Sequence, residues 1–105
     1  MIVLAGGNVV LPDGVLSEGS VVIDQGRIVG IHDTPIETAS GADVRPMRGR
    51  TLVPGFVDVH VHGVEGTDVL DGPSAVGTVA SRLPRYGVTA FCPTSVACTP
   101  ADLHT

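Results

Sequence analysis

Hydrophobic residues in the first half of the chain fall in short runs, each closed by glycine, proline or a polar pair. Ile2–Leu4 and Val9–Leu11 flank Gly6, Gly7 and Asn8, which predicts two apolar strands with a break between them. Pro12, Asp13 and Gly14 stand in turn order. Val21–Ile23 and Arg27–Ile31 are the arms of a predicted hairpin, connected by Asp24, Gln25 and Gly26. Positions 32–50 are polar and interrupted by Gly and Pro, and read as loop with one short strand near Ala42–Val44. Strands this few and short need something else to pack against.

At Thr51 the pattern changes. "TLVPGFVDVHVHG" is rich in β-branched residues and predicts one long strand ending at Gly63. A loop follows, "VEGTDVLDGP". Ala75, Val79 and Leu83 then recur every fourth residue, which places a helix over "SAVGTVASRLPRYG". Pro73 suits its first position with Gly72 or Asp71 as cap, Pro84 ends or kinks it, and Gly87 supplies the exit. "VTAFCPT" predicts a second strand, stopped by Pro93. "TPADLHT" resembles a helix start, with Thr99 as cap, Pro100 at the first position and Asp102 in the first turn. Strand, helix, strand in this order implies parallel strands joined by a right-handed crossover. The expected organisation is a β unit over 1–52 and the first βα units of an α/β domain over 53–105. The chain stops as a helix begins, so it reads as truncated.

The candidate chemistry lies in the middle strand. Residues two apart share a strand face, so Asp58, His60 and His62 point one way and Val57, Val59 and Val61 the other. The valine face is expected to be buried under helices and the polar face to look into a barrel. The histidines then sit at the C-terminal end of the strand, where barrel sites are assembled. A buried polar row is costly unless it is paired or holds an ion. Two imidazoles on one strand can share a metal, and Asp58 could orient one of them or cap the row. A bare H-x-H is common, however, and two surface histidines on a half-exposed strand is the competing reading. Glu65 and Asp68 read as solvated loop residues, His32 as a surface residue, and Cys92 as a small packed apolar residue.

Composition narrows the function classes. Hydrophobic residues make up 43% of the 105, with two Phe, one Tyr and no Trp, so a core must be aliphatic. The net charge is −5 with only six Lys and Arg, which disfavours binding to nucleic acid or to anionic lipid. No apolar run approaches the length of a membrane span, and the N-terminus lacks the features of a signal peptide. Cys92 and Cys98 do not have C-x-x-C spacing, and are expected to be reduced thiols in a cytoplasmic protein. The glycines form no phosphate-binding fingerprint, because no helix follows them.

Several words are recognisable. "LVPGFVDVHVHG" resembles the first barrel strand of the amidohydrolase superfamily, and the segment ending "RGRTLVPG" resembles its N-terminal β-sandwich piece. "HGVEGTDVLDG" and "RLPRYGVTAFCPTSV" are similar to the N-acetylglucosamine-6-phosphate deacetylase family. The resemblance implies an α/β protein: the start of a metal-dependent (β/α)8 TIM-barrel hydrolase, incomplete here, after a small β-sandwich segment. Such a barrel takes ~250 residues. The implied activity releases acetate from N-acetylglucosamine 6-phosphate, leaving glucosamine 6-phosphate. It implies a divalent metal, zinc or iron, as one or two ions. His60 and His62 fall on the first-strand ligand positions, with Asp58 behind them. The remaining ligands, a Glu and two His, and the general-base Asp would lie beyond residue 105. The implied partner is a small sugar phosphate, and the full-length form would be a homodimer. Dihydroorotases carry an arginine soon after H-x-H, whereas Gly63, Val64 and Glu65 follow here and the next arginine is Arg82. That argues against this branch. Two rivals stay open: another amidohydrolase acting on a cyclic amide or nucleobase, and a catalytically inert short product. The inert product would form a discrete oligomer; a truncated barrel would aggregate or stay molten.

Overall fold

The computed structural model describes residues 1–104, the side chain of His104 excepted. They form two compact units, Met1–Pro54 and the residues from Gly55 onward.

In the first unit, β1 (Ile2–Leu11), β2 (Gly14–Asp24) and β3 (Arg27–His32) form an antiparallel meander. β4 (Asp43–Pro46) and β5 (Thr51–Leu52) run parallel to β1, giving one mixed five-stranded sheet. The glycine break expected inside β1 is a bulge instead. The strand continues through Gly6 (φ 73°) and Gly7 while its register against β2 shifts on either side. The reason is the close approach of the returning chain. Met47 N–H donates to Ala5 O at 2.7 Å and Asn8 N–H to Arg50 O at 3.0 Å. A Cβ on Gly7 would meet Met47 Cβ at 2.9 Å. The β2–β3 turn is only Gln25 (φ 47°) and Gly26 (φ 75°), both left-handed as a two-residue hairpin of right-twisted strands requires. Val3, Ala5, Val9 and Val21 are the buried apolar residues, and Ser20 is buried beside them. Its hydroxyl donates to Thr34 O at 2.9 Å and accepts from Ile36 N–H at 2.8 Å, which straps an irregular segment to the sheet.

The long strand predicted over 51–63 is divided. Thr51–Leu52 pairs with β1 in the first unit, and β6 (Phe56–Val61) opens the second. Pro54 has no N–H to give a ladder, and Gly55 is held so close to Thr89 that a Cβ would run into that side chain. β6 pairs in parallel with β9 (Val88–Pro93). Between them lie a short hairpin, β7 (Gly63–Val64) and β8 (Thr67–Asp68), and helix α1 (Ala75–Arg82). The cap position of α1 is Ser74, so Pro73 precedes the helix rather than opening it. Leu83–Tyr86 tightens to a 3-10 turn around Pro84, and Gly87 (φ 80°) closes it in the left-handed region. Near the end, Thr99 Oγ1 donates to Asp102 Oδ2 at 2.7 Å ahead of a 3-10 turn, Asp102–His104.

The core of the second unit is Val61, Val79 and Leu83, flanked by Val64, Val69, Val88 and Phe91. The helical spacing is as predicted, since Ala75, Val79 and Leu83 are all buried. Burial of the valine face is not: Val61 is covered, but Val57 and Val59 are 67% and 71% exposed. An eight-residue helix is about 12 Å long, and α1 covers only the C-terminal end of β6. Cys92 is likewise exposed rather than packed. No described helix is long and apolar enough to cross a membrane.

Candidate metal centre

The site is built where β6 ends beside β9. Asp58 pairs with Phe91 and Val61 with Pro93, so β6 carries one extra residue in this interval. Such a bulge frees backbone groups and re-aims side chains. The N–H of His60 turns to Asp58 Oδ1 at 3.1 Å. Asp58 therefore caps the bulge through the backbone of His60.

His60 and His62 share a face, as alternation requires. Their rings meet edge to face, with centroids 4.8 Å apart and planes at 78°. The two Nε2 atoms are 3.1 Å apart. His62 Nδ1 lies 2.7 Å from the carbonyl oxygen of Thr94. A carbonyl can only accept, so Nδ1 bears the proton and Nε2 of His62 presents a lone pair. In a neutral pair, His60 Nε2–H then donates to it. Zinc–nitrogen bonds of 2.0–2.1 Å at a tetrahedral angle separate two ligand nitrogens by about 3.3 Å. The observed spacing is within a few tenths of that, and neutral imidazoles suit zinc or iron. Both histidines are exposed, so the polar row is not enclosed by the described residues. Among those residues, no group of three or more His, Cys, Asp and Glu is placed to hold a metal. The pair would supply two ligands of a larger set.

Thr94 was not legible as a site residue. Pro93 ends the ladder, and Thr94 N–H donates to Val61 O at 2.8 Å, which swings its own carbonyl beside the His62 ring. The available signal was the parallel pairing itself, which brings the end of "AFCPT" alongside the end of "DVHVH".

Immediately after His62, Gly63 starts the β7–β8 hairpin, where a Cβ would run into the Thr67 carbonyl oxygen. Glu65 (φ 51°) and Gly66 (φ 75°) make the turn. Glu65 is exposed in the turn, as expected of a loop residue, but its carboxylate is partnered: it accepts from Tyr86 Oη at 3.1 Å and pairs with Arg85 at 3.3 Å and Arg82 at 3.5 Å. Asp68 accepts from Leu70 N–H at 2.9 Å and shapes the next turn. His32 is exposed in the first unit, and Cys98 is a half-buried free thiol.

Comparison with known proteins defines the class first. The fold matches the crystal structure of an amidohydrolase (TM-score 0.62, 28% identity, 86% of this chain, 24% of that one). It also matches a prolidase complexed with N-methylphosphonate-L-proline (TM-score 0.64, 31% identity, 86% of this chain, 24% of that one). The chain is thus an amidohydrolase homologue. More particularly, it is homologous to N-acetylglucosamine-6-phosphate deacetylases. It is 38% identical to the Rattus norvegicus protein of that name over 100 residues, covering 90% of this chain and 24% of the relative. A Staphylococcus aureus dihydroorotase is 36% identical over 84 residues, covering 80% of this chain and 19% of that protein. The chain spans about a quarter of the length of the deacetylases it matches. No family model matches it.

Proposed function

We propose that His60 and His62 are metal ligands of a hydrolase that deacetylates N-acetylglucosamine 6-phosphate. The observation that carries this reading is the convergence of the two Nε2 atoms at 3.1 Å, with the His62 ring fixed from behind by Thr94. Thr94 selects the tautomer whose free nitrogen faces the partner ring, and Asp58 holds the bulge that places His60. A bound divalent cation, zinc or iron and one ion or two, would supply Lewis acidity toward the amide carbonyl and acidify a water. The general-base Asp and the remaining ligands are assigned to sequence outside these residues, as are the sugar-phosphate contacts. The first unit then corresponds to the N-terminal β-sandwich piece and the second to the opening of a TIM barrel, in a cytoplasmic homodimer.

The dihydroorotase match supports a second reading, a hydrolase of a cyclic amide. The absence of an arginine between Gly63 and Ser81 weighs against it. The protein carrying this segment is therefore to be assayed for acetate release from N-acetylglucosamine 6-phosphate and for ring opening of dihydroorotate. Acetate release alone supports the deacetylase. Dihydroorotate turnover alone overturns it in favour of the second reading. His60→Ala with His62→Ala should lower turnover by more than the about 100-fold that loss of an outer partner costs.

A further inference from the structure

We infer that Arg82 and Glu65 are positioning residues for the histidine pair, an inference that rests on the metal-ligand reading above. Arg82 is the last residue of α1. Its Nη1 donates to Thr67 Oγ1 at 2.8 Å and to Glu65 O at 3.3 Å, and its Nε lies 3.5 Å from Glu65 Oε2. One guanidinium thus spans both sides of the β7–β8 turn. Arg85 and Tyr86 close on the other carboxylate oxygen of Glu65. The hairpin held in this way begins at the residue after His62, and His62 O accepts from Val69 N–H at 2.8 Å just past its far strand.

A left-handed position favours Asn, Asp or Gly, and a Glu there costs about 1 kcal/mol. Positive φ alone decides little, since Gln25 and Glu18 share it. What sets Glu65 apart is that three donors, Arg82 at the end of α1 and Arg85 and Tyr86 in the 3-10 turn after it, converge on its carboxylate. Glu65 as a whole residue is exposed at its turn, but the side chains of Arg82 and Glu65 are 32% and 29% exposed. Pairing there is screened less than at an open surface. Apolar contact of Val61 with α1 sets the depth of the strand end; the latch sets the direction in which the chain leaves His62.

Glu65→Asn separates the two roles, because Asn suits the turn but cannot reach the three donors. Two readouts are needed: zinc affinity of the protein carrying the segment, and the imidazole 15N spectrum of the metal-free protein, which reports the His62 tautomer. The latch predicts that Glu65→Asn and Arg82→Met each weaken zinc binding about tenfold and shift His62 from the Nδ1–H form toward a tautomer average. Zinc affinity within twofold of the parent and an unchanged Nδ1–H signal in Glu65→Asn would overturn it, whatever happens to the melting temperature. Should Arg82→Met fail to fold, Glu65→Asn decides alone. Should His60→Ala with His62→Ala leave zinc affinity unchanged, the metal reading fails, and the 15N spectrum still tells whether the latch orients His62.

Discussion

His62 is held at both ends of its ring. Thr94 O accepts from His62 Nδ1–H at 2.7 Å, and Nε2 faces His60. The residue after it has no side chain because the neighbouring strand leaves no room. Gly63→Ala should therefore push the β7–β8 hairpin away and cost about 2 kcal/mol or more, read as a lower urea midpoint. In the first unit, Ser20→Ala leaves a carbonyl and an N–H without their partner, at a cost of about 1–3 kcal/mol. Faster amide exchange at Ile36 is the local sign, and unchanged exchange would show that the strap does not depend on the hydroxyl. The pairing of His60 with His62 was legible, because alternation is a local property of any strand. Thr94 was not, since the partner of His62 lies 32 residues away and depends on tertiary register.

Elements were legible where one periodicity ran unbroken. Ala75, Val79 and Leu83 are buried on one helix face, and the Asp24–Arg27 hairpin closes through a two-residue turn. Val79 is fully buried, so Val79→Ala should destabilise the second unit by about 2 kcal/mol. A change under about 0.5 kcal/mol, the range of surface substitutions, would show that α1 is not its core element. Legibility failed where close backbone approach overrode local pattern. Gly6 and Gly7 looked like a strand break and are a bulge that admits the 47–52 segment. The run from Thr51 to Gly63 looked like one strand and serves two sheets, since Pro54 and Gly55 interrupt it. The valine face looked buried because alternation reports facing, not cover.

At the scale of the whole molecule, the second unit is a two-stranded parallel sheet, a short antiparallel hairpin and one α-helix. Phe56, Val57 and Val59 are all more than half exposed on it. Exposed large apolar side chains beside unpaired strand edges favour association. The 105-residue polypeptide should bind an apolar dye and scatter light at high concentration, and Val57→Thr with Val59→Thr should reduce both. A monodisperse monomer that binds no dye would contradict this. His60 and His62 are exposed on the same unit, so the described residues do not enclose the polar row.

Zinc-edge X-ray absorption on the zinc-loaded protein that carries this segment tests whether His60 and His62 bind the metal. Imidazole scattering is expected at about 2.0 Å from zinc, losing two rings when His60 and His62 are both replaced by alanine. An identical spectrum before and after that replacement would contradict it.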